Sequence, residues 1–215
     1  MTARPILCLV TDRRIARRPL VEDVTAAVAA GVDEVQVRER DLGGAALASL
    51  TTAILEAARR SAAARRGRVR VLVNRRLDVA IATGADGVHL GFDAMAPRDA
   101  RALLGPRAWI SVATHASAEA LEAARETANQ VHLAPIFAPL SKPASRPPLG
   151  LGAIREAAAS RVAVLAQGGV SLAHVAGIVA AGAAGIAVTG SILLSSDPFE
   201  ATAALRRALD GASRG

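Results

Sequence analysis

Eight times along the chain, a short apolar run is followed by a longer Ala/Leu-rich stretch with helical spacing. The runs are Ile6–Val10, Glu34–Val37, Val69–Val73, Gly87–Leu90, Trp109–Val112, Gln130–Leu133, Val162–Ala166 and Ile186–Val188. The stretches after them are Val21–Ala30, Ala45–Arg66, Leu77–Thr83, Pro97–Leu104, a helix capped by Ser117 and running to about Ala128, Leu151–Ala159, a helix capped by Ser171 and ending at Gly182, and Pro198–Leu209. Spread over 215 residues, the units average about 27 residues each. Strands that alternate with helices imply a parallel sheet. The runs lack a clean alternation of apolar and polar residues, as expected where both faces are buried. Eight units predict an α/β fold of one domain over residues 1–215: a closed (β/α)8 TIM barrel, against an open six-stranded sheet with insertions. Gly31, Gly84 and Gly182 echo one another, each a helix stop followed by a turn and a strand. Their spacings of 53 and 98 residues are close to two and four units. The uncharged stretch Val175–Ser196 is cut by Gly177, Gly182, Gly185 and Gly190, so it reads as buried helix, turn, strand and turn, not as a membrane span.

The single cysteine, Cys8, is read as excluding a disulfide scaffold and any cysteine-based zinc site. Net charge is +7, carried by 25 Arg and one Lys. Such a balance suits nucleic acid, but aromatic residues are 2% with no Tyr, which leaves no stacking platform. The arginines are dispersed in pairs with acidic residues among them, so the expected partner is an anionic small molecule, with no nucleic acid and no membrane. Met1–Pro5 run almost directly into an apolar segment without a leader pattern, so a cytoplasmic protein is expected, possible as a homo-oligomer.

In such a barrel, chemistry sits on loops at the carboxyl ends of the strands. Gly168-Gly169 and Gly190-Ser191 follow strands seven and eight, where glycines let backbone N–H groups approach a phosphate. The competing reading is that they only make tight turns. Gln36, Arg38 and Arg40 share one face at the end of strand two and can present guanidiniums to an anion. A buried Arg–Glu pair through Glu39 is the alternative. His115, after strand five, suits proton transfer near neutral pH, unless it only holds a loop carbonyl. His89 and His132 lie inside strands and are expected in the core, and His174 on a helix surface. Ser141 and Lys142 stand in a Pro-rich loop over 134–148, read as a lid whose lysine carries charge to a phosphate. No histidine pair has metal-ligand spacing with a carboxylate, so no metal site is expected.

With these residues the chain resembles the thiamine phosphate synthase and thiazole tautomerase (TenI-like) family over nearly its whole length. The motifs are Leu9-Val10-Thr11-Asp12, Gln36-Val37-Arg38-Glu39-Arg40, Val73-Asn74, Gly87-Val88-His89-Leu90-Gly91, Thr114-His115, Pro135-Ile136-Phe137 with Ser141-Lys142, Gly168-Gly169 and Gly185-Ile186-Ala187-Val188. The resemblance implies thiamine biosynthesis and a phosphorylated thiazole as ligand. It implies substrate-binding roles for Gln36, Arg38, Arg40, Asn74, Ser141 and Lys142, and phosphate binding at Gly168, Gly169, Gly190 and Ser191. The synthases hold Mg²⁺ on an aspartate directly after the strand-three Asn and on another after strand four. Here Arg75 and Ala94 stand at those positions, with Asp93 one residue early. Mg²⁺ needs hard oxygen ligands, and an arginine there repels it. The tautomerase branch needs neither pyrophosphate nor metal and uses a histidine matched by His115. The expected activity is therefore conversion of a carboxythiazole phosphate to its aromatic tautomer, with no cofactor. A synthase, with Mg²⁺ only in that case, and a non-catalytic binder of a phosphorylated heterocycle are the alternatives.

Overall fold

The computed structural model describes residues 4–64, 68–91, 94–138 and 146–213. The strands β1 (Ile6–Val10), β2 (Glu34–Val37), β3 (Arg70–Asn74), β4 (Gly87–Leu90), β5 (Trp109–Thr114), β6 (Gln130–Leu133), β7 (Ala163–Gln167) and β8 (Gly185–Val188) pair in sequence order into a closed, all-parallel barrel. The helices α1 (Leu20–Ala30), α2 (Gly44–Ala64), α3 (Leu77–Thr83), α4 (Pro97–Leu104), α5 (Ser117–Arg125), α6 (Gly150–Ala158), α7 (Val175–Ala180), α8 (Gly190–Leu193) and α9 (Pro198–Ala212) occupy the connections and the C-terminal segment. No helix among the described residues is long and apolar enough to cross a membrane.

Strand parity divides the core. Leu7, Leu9, Val35, Val37, Val71 and Val73 belong to the large apolar cluster shared with the helices. Cys8, Val10, Leu165 and Ala187 form a separate small one. Alternate residues of a strand face opposite ways, so the small cluster fills the barrel interior. Most of the rest of that interior is polar. Glu34, Gln36, Asn74, His89, Ser111, Gln130 and His132 are all buried. Parallel register sets Asn74 beside His89, His89 beside Ser111, and Ser111 beside Gln130. Buried polar groups need partners, and most of these have one. Glu34 accepts from the Gln130 amide and, at 3.1 Å, from the Arg70 guanidinium, which lies 3.8 Å over the Trp109 ring. His132 Nδ1 meets Gln167 Oε1 at 3.1 Å, and His89 Nδ1 meets Ser111 Oγ at 2.9 Å.

The fold therefore groups Cys8, Glu34 and His132 with their ligand atoms within 4.8 Å of one another, which spacing along the chain does not reveal. Both Glu34 oxygens are already engaged by Gln130 and Arg70, so the carboxylate is spent inside the protein. At the opposite end from the mouth, the buried Arg206 of α9 donates to the Pro5 carbonyl at 2.8 Å and to Asp33 at 2.9 Å, tying the last helix to the barrel floor.

Three local expectations need correction. Ser117 is the first residue of α5 and not its cap: its hydroxyl donates to the Ala153 carbonyl at 3.2 Å. Glu119 serves the helix start instead, accepting from the His115 N–H at 2.6 Å. The stretch after Ser171 is not one helix but a 3₁₀ turn, Leu172–His174, running into α7. His174 is half-buried, not on the surface: its ring stacks on Phe137 at 3.9 Å, and its Nδ1 accepts from the Ser171 N–H at 3.2 Å.

Candidate active site at the barrel mouth

The ends of β1 and β2 are stitched together first. The Arg38 N–H donates to Thr11 Oγ1 at 2.9 Å, and that hydroxyl donates to Glu39 at 2.7 Å. The Arg13 N–H donates to both Glu39 oxygens at 3.1 Å, and the Arg13 side chain forks onto Asp41 at 2.7 and 2.8 Å. Glu39 is thus buried and fully used, with Arg13 as its partner in place of the expected Arg38 or Arg40. Its role is to fix the strand end that carries Gln36, Arg38 and Arg40.

β2 ends at Val37, so the parity expected of Gln36, Arg38 and Arg40 does not run through all three: Arg40 lines a cleft beside Glu39. Gln36 and Asn74 are buried side by side, the Gln36 Nε2 donating to Asn74 Oδ1 at 3.1 Å. That bond turns Oδ1 toward Gln36 and leaves the Nδ2 hydrogens as the donors Asn74 can offer a ligand. Arg38 is half-buried, and burial together with the neighbouring Arg40 guanidinium lowers its pKa. Burial holds His89 well below the ordinary 6.5, with the charges of His132, Arg38 and Arg40 adding to it. The two guanidiniums therefore act on the barrel interior as a concentration of positive charge that an anion would relieve.

A cleft of about 280 Å³ opens between the ends of β2 and β3, lined by Glu39, Arg40, Leu42, Leu47, Asn74, Arg75 and Arg76. Arg75 adopts φ +64° and donates its N–H to the His89 carbonyl at 2.8 Å. Arg76 is paired to Asp78 through two hydrogen bonds. Sequence reasoning singled out Asn74 and Arg40 here but gave Arg76 no role. The only available signal was the Arg75-Arg76 doublet directly after a strand end.

Across the mouth, Gly168 and Gly169 have φ +88° and +63°. A Cβ on Gly168 would meet Pro135 Cα at 2.8 Å, and one on Gly169 the Ala138 carbonyl oxygen at 2.2 Å. The two glycines are required by this turn and by the β6 loop packed on it. Among the described residues, no loop or cap hydrogen bond is donated by the N–H groups of Gly168, Gly169, Gly190 or Ser191. The Ser191 hydroxyl donates to the Val170 carbonyl at 2.7 Å, which joins the two loops. His115 Nδ1 lies 2.7 Å from the Ala134 carbonyl oxygen. A carbonyl cannot donate, so Nδ1 carries the proton, and in the neutral ring the basic lone pair is on Nε2. The bond to a loop carbonyl is the structural role weighed for this histidine. Ser141, Lys142 and Asp93 lie outside the described residues.

The family described as thiamine monophosphate synthase matches residues 7–192. The chain belongs to that family. Within it, the chain is 37% identical over 206 residues to thiamine-phosphate synthase of Roseiflexus castenholzii, covering 95% of this chain and 88% of the relative. It is 41% identical over 198 residues to the Anaeromyxobacter dehalogenans protein of the same name, covering 91% and 86%. Thiamine phosphate pyrophosphorylase from Pyrococcus furiosus superposes with a TM-score of 0.85 at 26% identity, covering 97% of each chain. Membership makes the chain an enzyme of thiamine biosynthesis.

Among the described residues, the cleft offers no open carboxylate set for the Mg²⁺ that the resemblance implies for the synthases. The cleft's one carboxylate among the described residues, Glu39, has both oxygens taken by Thr11 and Arg13. Arg75 stands where a ligand aspartate is expected, and Ala94 offers no side-chain oxygen.

Proposed function

We propose that the enzyme is a thiamine phosphate synthase, joining a pyrimidine methyl diphosphate to a thiazole phosphate. The relatives carry part of this reading, because proteins 37–41% identical over nearly the whole chain bear that name. The names favour the synthase over the tautomerase that the sequence put first. The observation in the structure that supports it is two separate anion-compatible regions at one mouth: the arginine-lined cleft at β2 and β3, and the glycine turns after β7 and β8. A condensation of two phosphorylated substrates needs both, whereas a single thiazole phosphate needs one.

In this reading the glycine turns and Ser191 hold the thiazole phosphate through backbone N–H groups. Arg38, Arg40 and Asn74 receive the diphosphate. The bond between the pyrimidine methylene carbon and the diphosphate oxygen breaks, its electron pair leaving on the diphosphate. The thiazole nitrogen supplies the pair for the new carbon–nitrogen bond. Positive groups fixed before the reaction stabilise the charge that develops on the leaving oxygen. Ser141 and Lys142 are assigned to the same ligand as in the family motif.

A second reading is favoured by two residues. Arg75 at a metal-ligand position suits a reaction without diphosphate, and His115 with a basic Nε2 suits proton transfer on a carboxythiazole phosphate. The two readings separate in one assay. Purified protein is incubated with both synthase substrates, and in parallel with the carboxythiazole phosphate tautomer. Thiamine phosphate is the expected product. Rapid tautomer conversion with no thiamine phosphate would replace the synthase by the tautomerase.

A further inference from the structure

We propose that Cys8, Glu34 and His132 hold a Zn²⁺-like dication inside the barrel, with the Gln130 amide oxygen as fourth ligand, as a structural tie between β1, β2 and β6. Glu34 opens β2, so this ion lies below the mouth and has no part in the synthase reading. Among the described residues, this is the one group of histidine, cysteine and acidic side chains whose ligand atoms can close on an ion, all lying within 4.8 Å of one another. Each of the three residues is at most 1% exposed. Sulfur, imidazole and carboxylate together suit Zn²⁺ and not the hard Mg²⁺. With every ligand drawn from the protein, the site is closed, as structural zinc sites are.

The hydrogen bonds around the group point to a cation. His132 Nδ1 lies 3.1 Å from Gln167 Oε1. That oxygen cannot donate, so Nδ1 carries the proton, and Nε2 keeps its lone pair 3.9 Å from Glu34 Oε1. A metal-bound histidine is oriented in this way, by an acceptor on its other nitrogen. Gln130 gives a second, independent sign. Its Nε2 stands among three acceptors: Glu34 Oε1, Ser111 Oγ at 3.3 Å and His132 Nε2 at 3.4 Å. Two hydrogens cannot serve three acceptors. Its Oε1 is buried with no hydrogen-bond partner, an arrangement that costs free energy in a dry interior. A half-turn of the amide brings Oε1 into the group and gives it a ligand's use. The dication then takes the place of the amide hydrogens on Glu34 Oε1, while Arg70 keeps its 3.1 Å bond to Oε2. Burial and the neighbouring Glu34 push the Cys8 thiol up, and a coordinated dication removes its proton. Thiolate and carboxylate together cancel the charge of the ion.

The test uses the full chain, expressed with added Zn²⁺ or Co²⁺, washed with a chelator and analysed for metal. Because the ligands are buried, the ion enters as the chain folds and survives the wash. One metal ion per chain is expected. The cobalt form is expected to show the visible absorption of four-coordinate Co²⁺ and a thiolate-to-cobalt charge-transfer band. Cys8 is the chain's one cysteine, so that band reports on it alone. Cys8→Ser should lose the band, and His132→Gln should lose the bound cobalt. Gln167→Ala removes no ligand and should lower cobalt affinity about ten- to hundred-fold in chelator competition. His174→Gln, outside the group, should keep the full metal content. Thermal melting checks that each variant folds, and Gln167→Ala serves where a ligand variant does not. The proposal is overturned if washed wild type holds no stoichiometric metal, if its cobalt shows no thiolate band, or if folded His132→Gln binds cobalt as wild type does. It is equally overturned if Gln167→Ala leaves the affinity unchanged, or if His174→Gln empties the chain of metal as His132→Gln does. None of these readings needs turnover, so the outcome is separate from that of the synthase assay.

Discussion

At the residue scale, Gln36 was legible because strand parity is a local property, and it is buried beside Asn74. Arg38 and Arg40 follow the end of β2, where that parity lapses and Arg40 lines the cleft beside Glu39. Their neighbours were not legible, because their roles depend on other strands. Glu39 is tied to Arg13, 26 residues away, and Glu34 to Gln130, 96 residues away. His115 is the residue on which the two enzyme readings differ. In the condensation the thiazole nitrogen attacks without a proton transfer, so His115 serves as a support for the β6 loop through Ala134. His115→Ala is then expected to slow thiamine phosphate formation less than tenfold. A fall of about 10² to 10⁴ would mark a general acid/base and favour the tautomerase. Gln36→Ala tests the amide pair: it releases Asn74 from the orientation that presents Nδ2, and pyrophosphate affinity, read by calorimetric titration of the purified protein, should drop several-fold if the diphosphate lies on Asn74.

At the scale of elements, the Gly168-Gly169 turn shows why a motif can serve two roles. Both residues sit at positive φ, and the β6 loop lies where side chains would be. Gly169→Ala should lower stability by about 2–5 kcal/mol through strain and overlap with the Ala138 carbonyl. In thermal melting that is a fall of roughly 5–15 °C for a chain of this size. An unchanged melting temperature would show that the turn relaxes and that the glycine is not required for packing. Strand positions were read within one or two residues, whereas the helix start at Ser117 was misassigned and the helix after Ser171 opens as a 3₁₀ turn. The error has a physical source. A cap is chosen by which side chain reaches the orphan N–H groups, and at α5 Glu119 wins over Ser117, whose hydroxyl finds Ala153 on a neighbouring helix. At Ser171 the expected cap is found: Ser171 and His174 form a reciprocal capping box, the Ser171 N–H donating to His174 Nδ1 at 3.2 Å.

At the scale of the molecule, eight evenly spaced units were enough to specify closure of the barrel. The polar filling was not legible, since it is made by register between strands far apart in sequence. It has a measurable consequence. His89 stays neutral in the folded state while the unfolded chain takes up a proton near pH 6.5. Its contribution to stability is therefore present above that pH and is lost as pH falls below it, by about 1.4 kcal/mol per pH unit. Chemical denaturation at pH 7.5 and 5.5 should show this loss, and His89→Asn should reduce it; an equal loss in both proteins would place the effect elsewhere. The mouth above this interior is a rim of guanidiniums and backbone donors without a carboxylate set for a metal among the described residues. The central claim is that this mouth condenses two phosphorylated substrates. The direct measurement is thiamine phosphate formation from those substrates in the presence of Mg²⁺, run beside conversion of the carboxythiazole phosphate tautomer. Thiamine phosphate is the expected product; tautomer conversion with no thiamine phosphate would contradict the account.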